Sequence, residues 1–256
     1  HTNQHYDREM NSSLFEQLNY RPDQVFPGAY KLGAAIDWAR DYIVSDSIDL
    51  LIVNGDTAAA LVGALAALYE DVQVAHVESG LRSGDSAMIE ERNRIMVDMA
   101  AHYLFCYTSE RAAYLSEISE IRGRIVCVGN TTVDLIESFA SHLVPQRSDR
   151  YAFVTLHRKE FTDSAELMQT VFATLRNIAF EFDAVVFPLH PRTRDAMKRY
   201  GIPMSVLSGI EVVMPMDPLS ALRAEKYADV IITDSGCIQE EAYLFGVPCV
   251  TVRENT

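Results

Sequence analysis

The chain has 256 residues, 48% of them apolar and 23% charged, with 22 Lys and Arg against 36 Asp and Glu for a net charge of −14. These are globular values, enough for one large domain or two ordinary ones, and a chain of this size buries roughly 70–75% of its unfolded surface. The acid excess excludes nucleic-acid backbones and anionic membranes as partners, since both demand a positive field; a small anionic ligand held by local dipoles stays open.

In chain order, Asp49–Asn54 (DLLIVN) is predicted as a strand and Thr57–Tyr69 as a helix. The longest apolar run, Ala58–Tyr69, has twelve residues, short of the ~20 that a membrane span needs. Val72–Val77 is the next strand, and Ser86–Ala100 is helical by the spacing of Ile89, Arg92, Ile95, Met96 and Met99. Tyr103–Tyr107 (strand), Ser109–Ile118 (helix), Arg124–Val128 (strand) and Thr132–Leu143 (helix) follow. Leu143–Arg150 (LVPQRSDR) reads as a linker, polar and with a proline. The pattern then restarts, with strands over Tyr151–Leu156, Ala184–Leu189, Glu211–Met214, Val230–Thr233 and Pro248–Val252. Helices are predicted between them over Ser164–Glu181, Thr193–Tyr200, Leu219–Tyr227 and Ile238–Phe245. Apolar strands alternating with helices predict an α/β chain of two doubly wound, Rossmann-like domains, residues 1–146 and 147–256. Right-handed crossovers then place a ligand outside the carboxyl ends of both sheets, in the cleft between them.

The N-terminus, His1-Thr2-Asn3-Gln4-His5, has neither the basic nor the apolar stretch of a secretory signal. The cysteines Cys106, Cys127, Cys237 and Cys249 form no CxxC and lie in apolar runs. They are expected to be buried free thiols in a reducing cytoplasm, and no metal site is expected.

Chemistry should gather where strands hand over to helices. In Asn54-Gly55-Asp56-Thr57 a strand ends, glycine turns the chain, and Asp56 or Thr57 is placed to cap a helix. His76-Val77-Glu78-Ser79-Gly80-Leu81-Arg82-Ser83-Gly84-Asp85 puts an acid at an apolar strand's tip, with a Glu78–Arg82 ion pair as the plain alternative. Ile89-Glu90-Glu91-Arg92-Asn93-Arg94 opens a helix, and an i,i+4 pair of Glu90 with Arg94 is its plain reading. Thr155-Leu156-His157-Arg158-Lys159-Glu160 places His157 at a strand tip. Thr233-Asp234-Ser235-Gly236-Cys237 leads into a helix whose free N–H groups suit phosphate, with a later carboxylate available for ribose hydroxyls.

Taken in order, VNGDT, HVESGLRSGD, EERNR, VGNTTVDL, TLHRKE, FPLHPRT, TDSGCIQEEA and VTVRENT, together with the opening HTNQHYD, resemble the non-hydrolysing UDP-N-acetylglucosamine 2-epimerase family. The resemblance implies the two-domain glycosyltransferase-B fold, a homodimer, and no nicotinamide or metal in the chemistry. It implies reversible interconversion of UDP-GlcNAc and UDP-ManNAc by loss of UDP and re-addition through 2-acetamidoglucal. Asp56, Glu78 and Glu90 are assigned to proton transfer, with acid and base left open, because inversion at C2 needs a proton taken from one face and returned to the other. His157 is assigned to the leaving diphosphate as proton donor or positive partner. Ser235, Gly236 and Cys237 are expected to hold phosphate, Glu241 the ribose, and the backbone around Met216 the uracil. Gln4, Arg158 and His190 lie where the resemblance implies a second, activating UDP-GlcNAc site.

The sequence departs from the family pattern in places. Cys237 stands at a usual glycine, and Ala221 stands near a usual uracil-side aromatic. The family's opening strand with its Gly-Thr-Arg-Pro-Glu loop, and its closing helix, are not present between His1 and Thr256, so a fold without them is expected. The alternatives are a hydrolysing 2-epimerase releasing UDP and ManNAc, a UDP-sugar glycosyltransferase of the same fold, and a non-catalytic nucleotide-binding module.

Overall fold

The computed structural model describes residues 1–2, 20–27 and 30–253. The chain divides into two compact units, His1–Thr131 and Thr132–Thr256. In the first, α1 (Leu32–Ser45) precedes β1 (Leu50–Asn54), α2 (Ala58–Tyr69), β2 (Gln73–Val77), α3 (Ile89–Ala100), β3 (Tyr103–Cys106), α4 (Ser109–Ser116) and β4 (Arg124–Cys127). The strands form one parallel sheet in the order β1-β2-β3-β4. Its core joins Val53, Val74, Leu104 and Cys106 of the strands to Ala60, Leu61, Ala64 and Ala67 of α2 and Val97 of α3. The alanine content of α2 lets it lie close on the sheet, and Thr57 caps it by accepting from Ala60 N–H.

The second unit begins in α5 (Thr131–Phe139) and continues through β5 (Tyr151–Thr155), α6 (Lys159–Thr162), α7 (Ala165–Ile178), β6 (Ala184–Pro188) and α8 (Pro191–Arg199). It ends with β7 (Glu211–Val213), α9 (Pro218–Lys226), β8 (Val230–Thr233), α10 (Gly236–Phe245) and β9 (Cys249–Thr251). These strands are also parallel, in the order β7-β6-β5-β8-β9. Alternate β5 residues enter two cores, as the two-residue side-chain period requires. Ala152, Val154 and Leu156 meet Met168, Phe172 and Leu175 of α7, while Tyr151 and Phe153 meet Ile231 and Ala242. Burying a side chain such as Phe172 contributes about 1.5–3 kcal/mol.

The strands and most helices stand where the sequence pattern placed them, within a residue or two at their ends. Helix α1, ahead of Asp49, was not expected. The helix expected from Ser86 starts at Ile89, because Asp85 takes Ala87 N–H and holds Ser86–Met88 in a turn. The stretch expected as linker from Leu143 is tied to the second unit: Leu143 is 2% exposed, and the His142 and Leu143 carbonyls accept from Arg223 and from Lys226 and Tyr227. Among the described residues no helix is long and apolar enough to cross a membrane. The cysteines form no disulfide among the described residues, and of the four only Cys106 is buried. Cys127 and Cys249 lie on the outermost strands β4 and β9 and Cys237 in the first turn of α10, which corrects the expectation of buried thiols.

Gly123, just before β4, marks a close approach: a Cβ there would stand 2.4 Å from the Ala101 carbonyl oxygen and 2.5 Å from Leu104 Cδ1. Gly123→Ala is expected to cost about 1–3 kcal/mol, the range for overpacking. Urea denaturation would show it as a lower midpoint, and an unchanged midpoint would mean that the β3–β4 edge yields freely.

Candidate active site

At the carboxyl end of β1 the chain turns through Gly55, whose φ is +71°. A Cβ there would lie 3.2 Å from Glu78 Oε2, so glycine serves both the turn and the neighbour. Since Thr57 is the cap of α2, Asp56 is released from that duty. Glu78, at the tip of β2, also has a left-handed backbone, φ +71°. For a residue with a Cβ that conformation costs roughly 1–2 kcal/mol and persists only where its surroundings over-determine it.

Those surroundings come from one face of α3. Arg94 donates Nη2 to Asp56 Oδ2 at 2.5 Å, and Nη1 to both the Glu78 carbonyl and Glu78 Oε2 at 2.9 Å. Tyr107 O–H donates to Glu78 Oε1 at 3.0 Å. Asn93 holds the Asp56 carbonyl at 2.9 Å. Burial works against charge on Arg94, and Asp56 and Glu78 more than offset it, so its pKa is raised. Asp56 and Glu78 are thus brought onto one guanidinium. Glu90 lies one turn earlier on the same helix face, half-buried, and takes no hydrogen bond or ion pair from any described residue. Neither plain pairing from the sequence forms: Arg94 goes to Asp56 and Glu78 rather than Glu90, and Arg82 pairs with Asp98 rather than Glu78.

Asp98 was missed by the sequence reading. It is 1% exposed and accepts from Arg82 Nη2 at 2.7 Å and Gly80 N–H at 3.2 Å, with His76 Nδ1 2.7 Å from its other oxygen. His76 Nε2 donates to the Gly55 carbonyl at 2.9 Å, so the ring bridges Asp98 and the turn after β1. Two helical turns back, Glu91 accepts from Ser83 N–H and Oγ. An acid at the buried position 98, between Val97 and Met99, was the available signal.

In the second unit, β5 and β8 are neighbours from which the sheet is built outward in both directions. Their carboxyl ends form the switch point where open α/β sheets bind ligands. His157 and Arg158 follow β5; Asp234 and Ser235 follow β8. Buried Asp234 Oδ2 accepts from the His157 and Arg158 N–H groups at 2.8 and 2.7 Å and fixes that loop. Burial raises the Asp234 pKa against those bonds. The His157 ring stacks on His190 with centroids 4.7 Å apart, and its Nδ1 is 3.6 Å from Asp234 Oδ1, beyond hydrogen-bond length. Burial, helped by the Arg158 and Arg192 charges, pushes the His157 pKa down to about 4, so the ring is neutral at pH 7 in the free protein.

The Ser235 side chain makes no capping bond to α10, which begins at Gly236 and Cys237. Glu241 is half-buried and interacts with Glu225 of α9, a neighbour that the sequence did not suggest, and burial raises the pKa of both. Met216 follows β7, and its side chain packs into the core and borders a cavity of about 350 Å3 with Tyr151 and Arg223. Arg158 and His190 sit beside His157, and Gln4 lies outside the described residues.

Replacing Arg94 by Met leaves Asp56 and Glu78 without their shared cation. A loss of about 1–3 kcal/mol is expected, less than for a fully buried pair because both acids touch solvent. Asp56→Asn added to Arg94→Met should recover part of it in a denaturation cycle, and strict additivity would rule out the coupling. His157 gives a pH signature of known sign. Its folded pKa, about 4, lies below its ordinary 6.5, so the unfolded chain binds more protons between these values and stability falls as pH drops through that window. His157→Gln should remove that part of the decline; an identical pH dependence of the urea midpoint in variant and parent would contradict it.

The family model described as UDP-N-acetylglucosamine 2-epimerase matches residues 1–256. The chain is 34% identical over 278 residues to a UDP-N-acetylglucosamine 2-epimerase of Methanococcus maripaludis, covering 100% of this chain and 75% of the relative. It is 35% identical over 268 residues to the UDP-2,3-diacetamido-2,3-dideoxy-D-glucuronate 2-epimerase of Pseudomonas aeruginosa, again covering 100% and 75%. The crystal structure of Methanocaldococcus jannaschii UDP-GlcNAc 2-epimerase in complex with UDP-GlcNAc and UDP matches with a TM-score of 0.84 at 35% identity, covering 100% of this chain and 76% of that one. The two α/β units are accordingly those of the glycosyltransferase-B fold. By sequence along its whole length and by fold, the chain belongs to the UDP-N-acetylglucosamine 2-epimerase family.

Proposed function

We propose that the protein interconverts UDP-N-acetylglucosamine and UDP-N-acetylmannosamine by inverting C2 of the sugar. The observation that carries this reading is the meeting of Asp56 and Glu78, from two strand tips, on Arg94, with Glu90 on the same helix face. A base among the three takes the C2 proton while the C1–oxygen bond breaks toward UDP, giving the 2-acetamidoglucal. UDP then adds back to C1, and an acid returns a proton to the opposite face of C2. Two acids in different settings suit this division: Glu78 is fixed by Tyr107 and Arg94, while Glu90 takes no hydrogen bond from any described residue.

The second unit binds UDP in this reading. The N-terminus of α10 at Ser235, Gly236 and Cys237 offers backbone donors to phosphate at the sheet's switch point. Glu241 takes the ribose hydroxyls, and the backbone around Met216 borders uracil. His157, neutral in the free protein, gains its proton when the diphosphate dianion arrives, because a nearby negative charge favours the charged imidazolium. The same reading places the enzyme in the cytoplasm as a homodimer.

A second reading rests on the Pseudomonas aeruginosa relative, whose identity equals that of the UDP-N-acetylglucosamine enzymes within a percentage point. Proton NMR in deuterium oxide separates the cases. With UDP-GlcNAc, deuterium should enter C2 as UDP-ManNAc forms, and Glu78→Gln should abolish both; exchange retained in that variant would sink the mechanism. Free ManNAc would mark a hydrolysing enzyme. Turnover confined to the diacetamido uronate would transfer the assignment to that substrate.

A further inference from the structure

The ends of β5 and β8 lie in register, Thr155 beside Thr233, so the residues that follow them meet at the carboxyl edge of the second sheet. Asp234 is buried there, and its two oxygens stand in different settings. Oδ2 accepts from the His157 and Arg158 N–H groups at 2.8 and 2.7 Å. Oδ1 is buried without a hydrogen-bond partner among the described residues. His157 Nδ1 stands 3.6 Å from it, about half an ångström beyond an N–H···O bond. A buried acceptor left open costs free energy, and holding the loop takes one oxygen, which an asparagine would supply equally well. The imidazole is already presented to this oxygen. His190, the N-cap of α8, stacks on it with centroids 4.7 Å and planes 25° apart, which restrains the ring plane. With Nδ1 toward Asp234, the other ring nitrogen, Nε2, is turned away from the carboxylate.

We infer that Asp234 is a positioning residue for His157: when the ring takes up a proton beside a nucleotide diphosphate, Oδ1 accepts from Nδ1 and so sets Nε2 toward the phosphate oxygens. The inference rests on the diphosphate role proposed for His157. The charged and titratable groups that act on the ring are Arg158 on its own loop, Arg192 in the first turn of α8, His190 on its face and Asp234. Burial and the two arginines oppose a positive ring. Asp234 is the acid among these groups and favours the imidazolium. The two N–H bonds to Oδ2 favour its ionised form against the upward pull of burial. In the free protein the gap at Oδ1 leaves the imidazole neutral. A diphosphate beside Nε2 and a carboxylate beside Nδ1 then stabilise the charged ring from both sides, and a shift of about half an ångström closes the bond.

NMR titration of histidine-labelled protein, with and without saturating UDP, tests this; the His157 signal is assigned by its loss in His157→Gln. UDP should raise the His157 pKa of the parent chain. In Asp234→Asn the side-chain oxygen still takes both N–H groups, so the loop is kept while the charge is removed. The ring of its UDP complex should bind a proton about tenfold less tightly than the parent's, the scale of one hydrogen bond to a charged group. Without UDP the two proteins should differ much less, because the Nδ1–Oδ1 bond is open there; a purely structural role would not tie the difference to the nucleotide. An equal His157 pKa in the two UDP complexes overturns the inference. If Asp234→Asn fails to fold, the parent decides: a hydrogen-bonded Nδ1 proton should appear in its UDP complex, and absence of that signal overturns the inference too. The parent also separates the two layers. A His157 pKa that UDP leaves unmoved sinks the diphosphate role and this inference together, whereas a rise with UDP that Asp234→Asn keeps in full sinks this inference alone.

Discussion

The candidate site depends on a polar face of a core helix. Helix α3 carries Glu91, Asn93, Arg94 and Asp98 in buried positions, where a family of apolar side chains would pack at less risk. Each of these groups reaches a loop: Glu91 to Ser83, Asn93 and Arg94 to the Asp56 turn, Arg94 also to Glu78, and Asp98 to Gly80 and Arg82. A buried polar network is stabilising only when its members are satisfied together. Satisfying these leaves the loops after β1 and β2 one conformation. That is why Glu78 tolerates a backbone angle that an isolated residue would shed, and why two carboxylates from different strands stay on one guanidinium.

The second unit solves the same problem with less material. Asp234 is buried at the end of β8 and grips two backbone N–H groups of the loop after β5. Its bonds to main chain rather than to the imidazole leave His157 without a close acid partner, and burial then keeps the ring neutral. A neutral imidazole between arginines is a poor acid at rest but responds strongly to an incoming anion. The protein thus holds its loops with acids that bond to main chain and guanidinium groups, and in the proposed reaction leaves the His157 ring to the ligand.

How much of this was legible follows from what each signal measures. Strand and helix positions were readable because apolar runs and their periods report burial directly. Helix α1 was passed over although Ala35, Ile36, Ala39 and Ile43 recur at helical spacing on its buried side. The strand-tip acids were readable as anomalies, since an apolar strand has no folding use for Glu78. Their partners were not. A sequence offers Arg82 and Arg94 as near neighbours of Glu78 and Glu90, and local spacing favoured the pairs that do not form. The choice is made by the left-handed turn at Glu78 and the register of β1 on β2, which bring Asp56 and not Glu90 to Arg94. Glu225 and Glu241 interact from two helices separated in the chain by strand β8, and no local pattern announces it.

The two relatives named for different sugars bear on where substrate choice resides. Their names share a UDP leaving group, an acetamido carbon at position 2 and inversion there; they differ at positions 3 and 6 of the sugar. Proton transfer at C2 and departure of UDP are indifferent to those other substituents. In the proposed reaction the Asp56, Glu78, Glu90 and Arg94 cluster, and the UDP-side groups from Ser235 to Glu241, would therefore answer only for the shared part of the chemistry. Discrimination between a neutral C6 hydroxymethyl and a C6 carboxylate needs a cation in the second case, and Arg94 and Arg82 are already committed to carboxylates of the protein itself. Arg94 and Arg82 thus offer no spare charge to a uronate, and a cation for its carboxylate would have to come from another residue, such as Arg92, whose side chain among the described residues donates only to the Ser86 carbonyl.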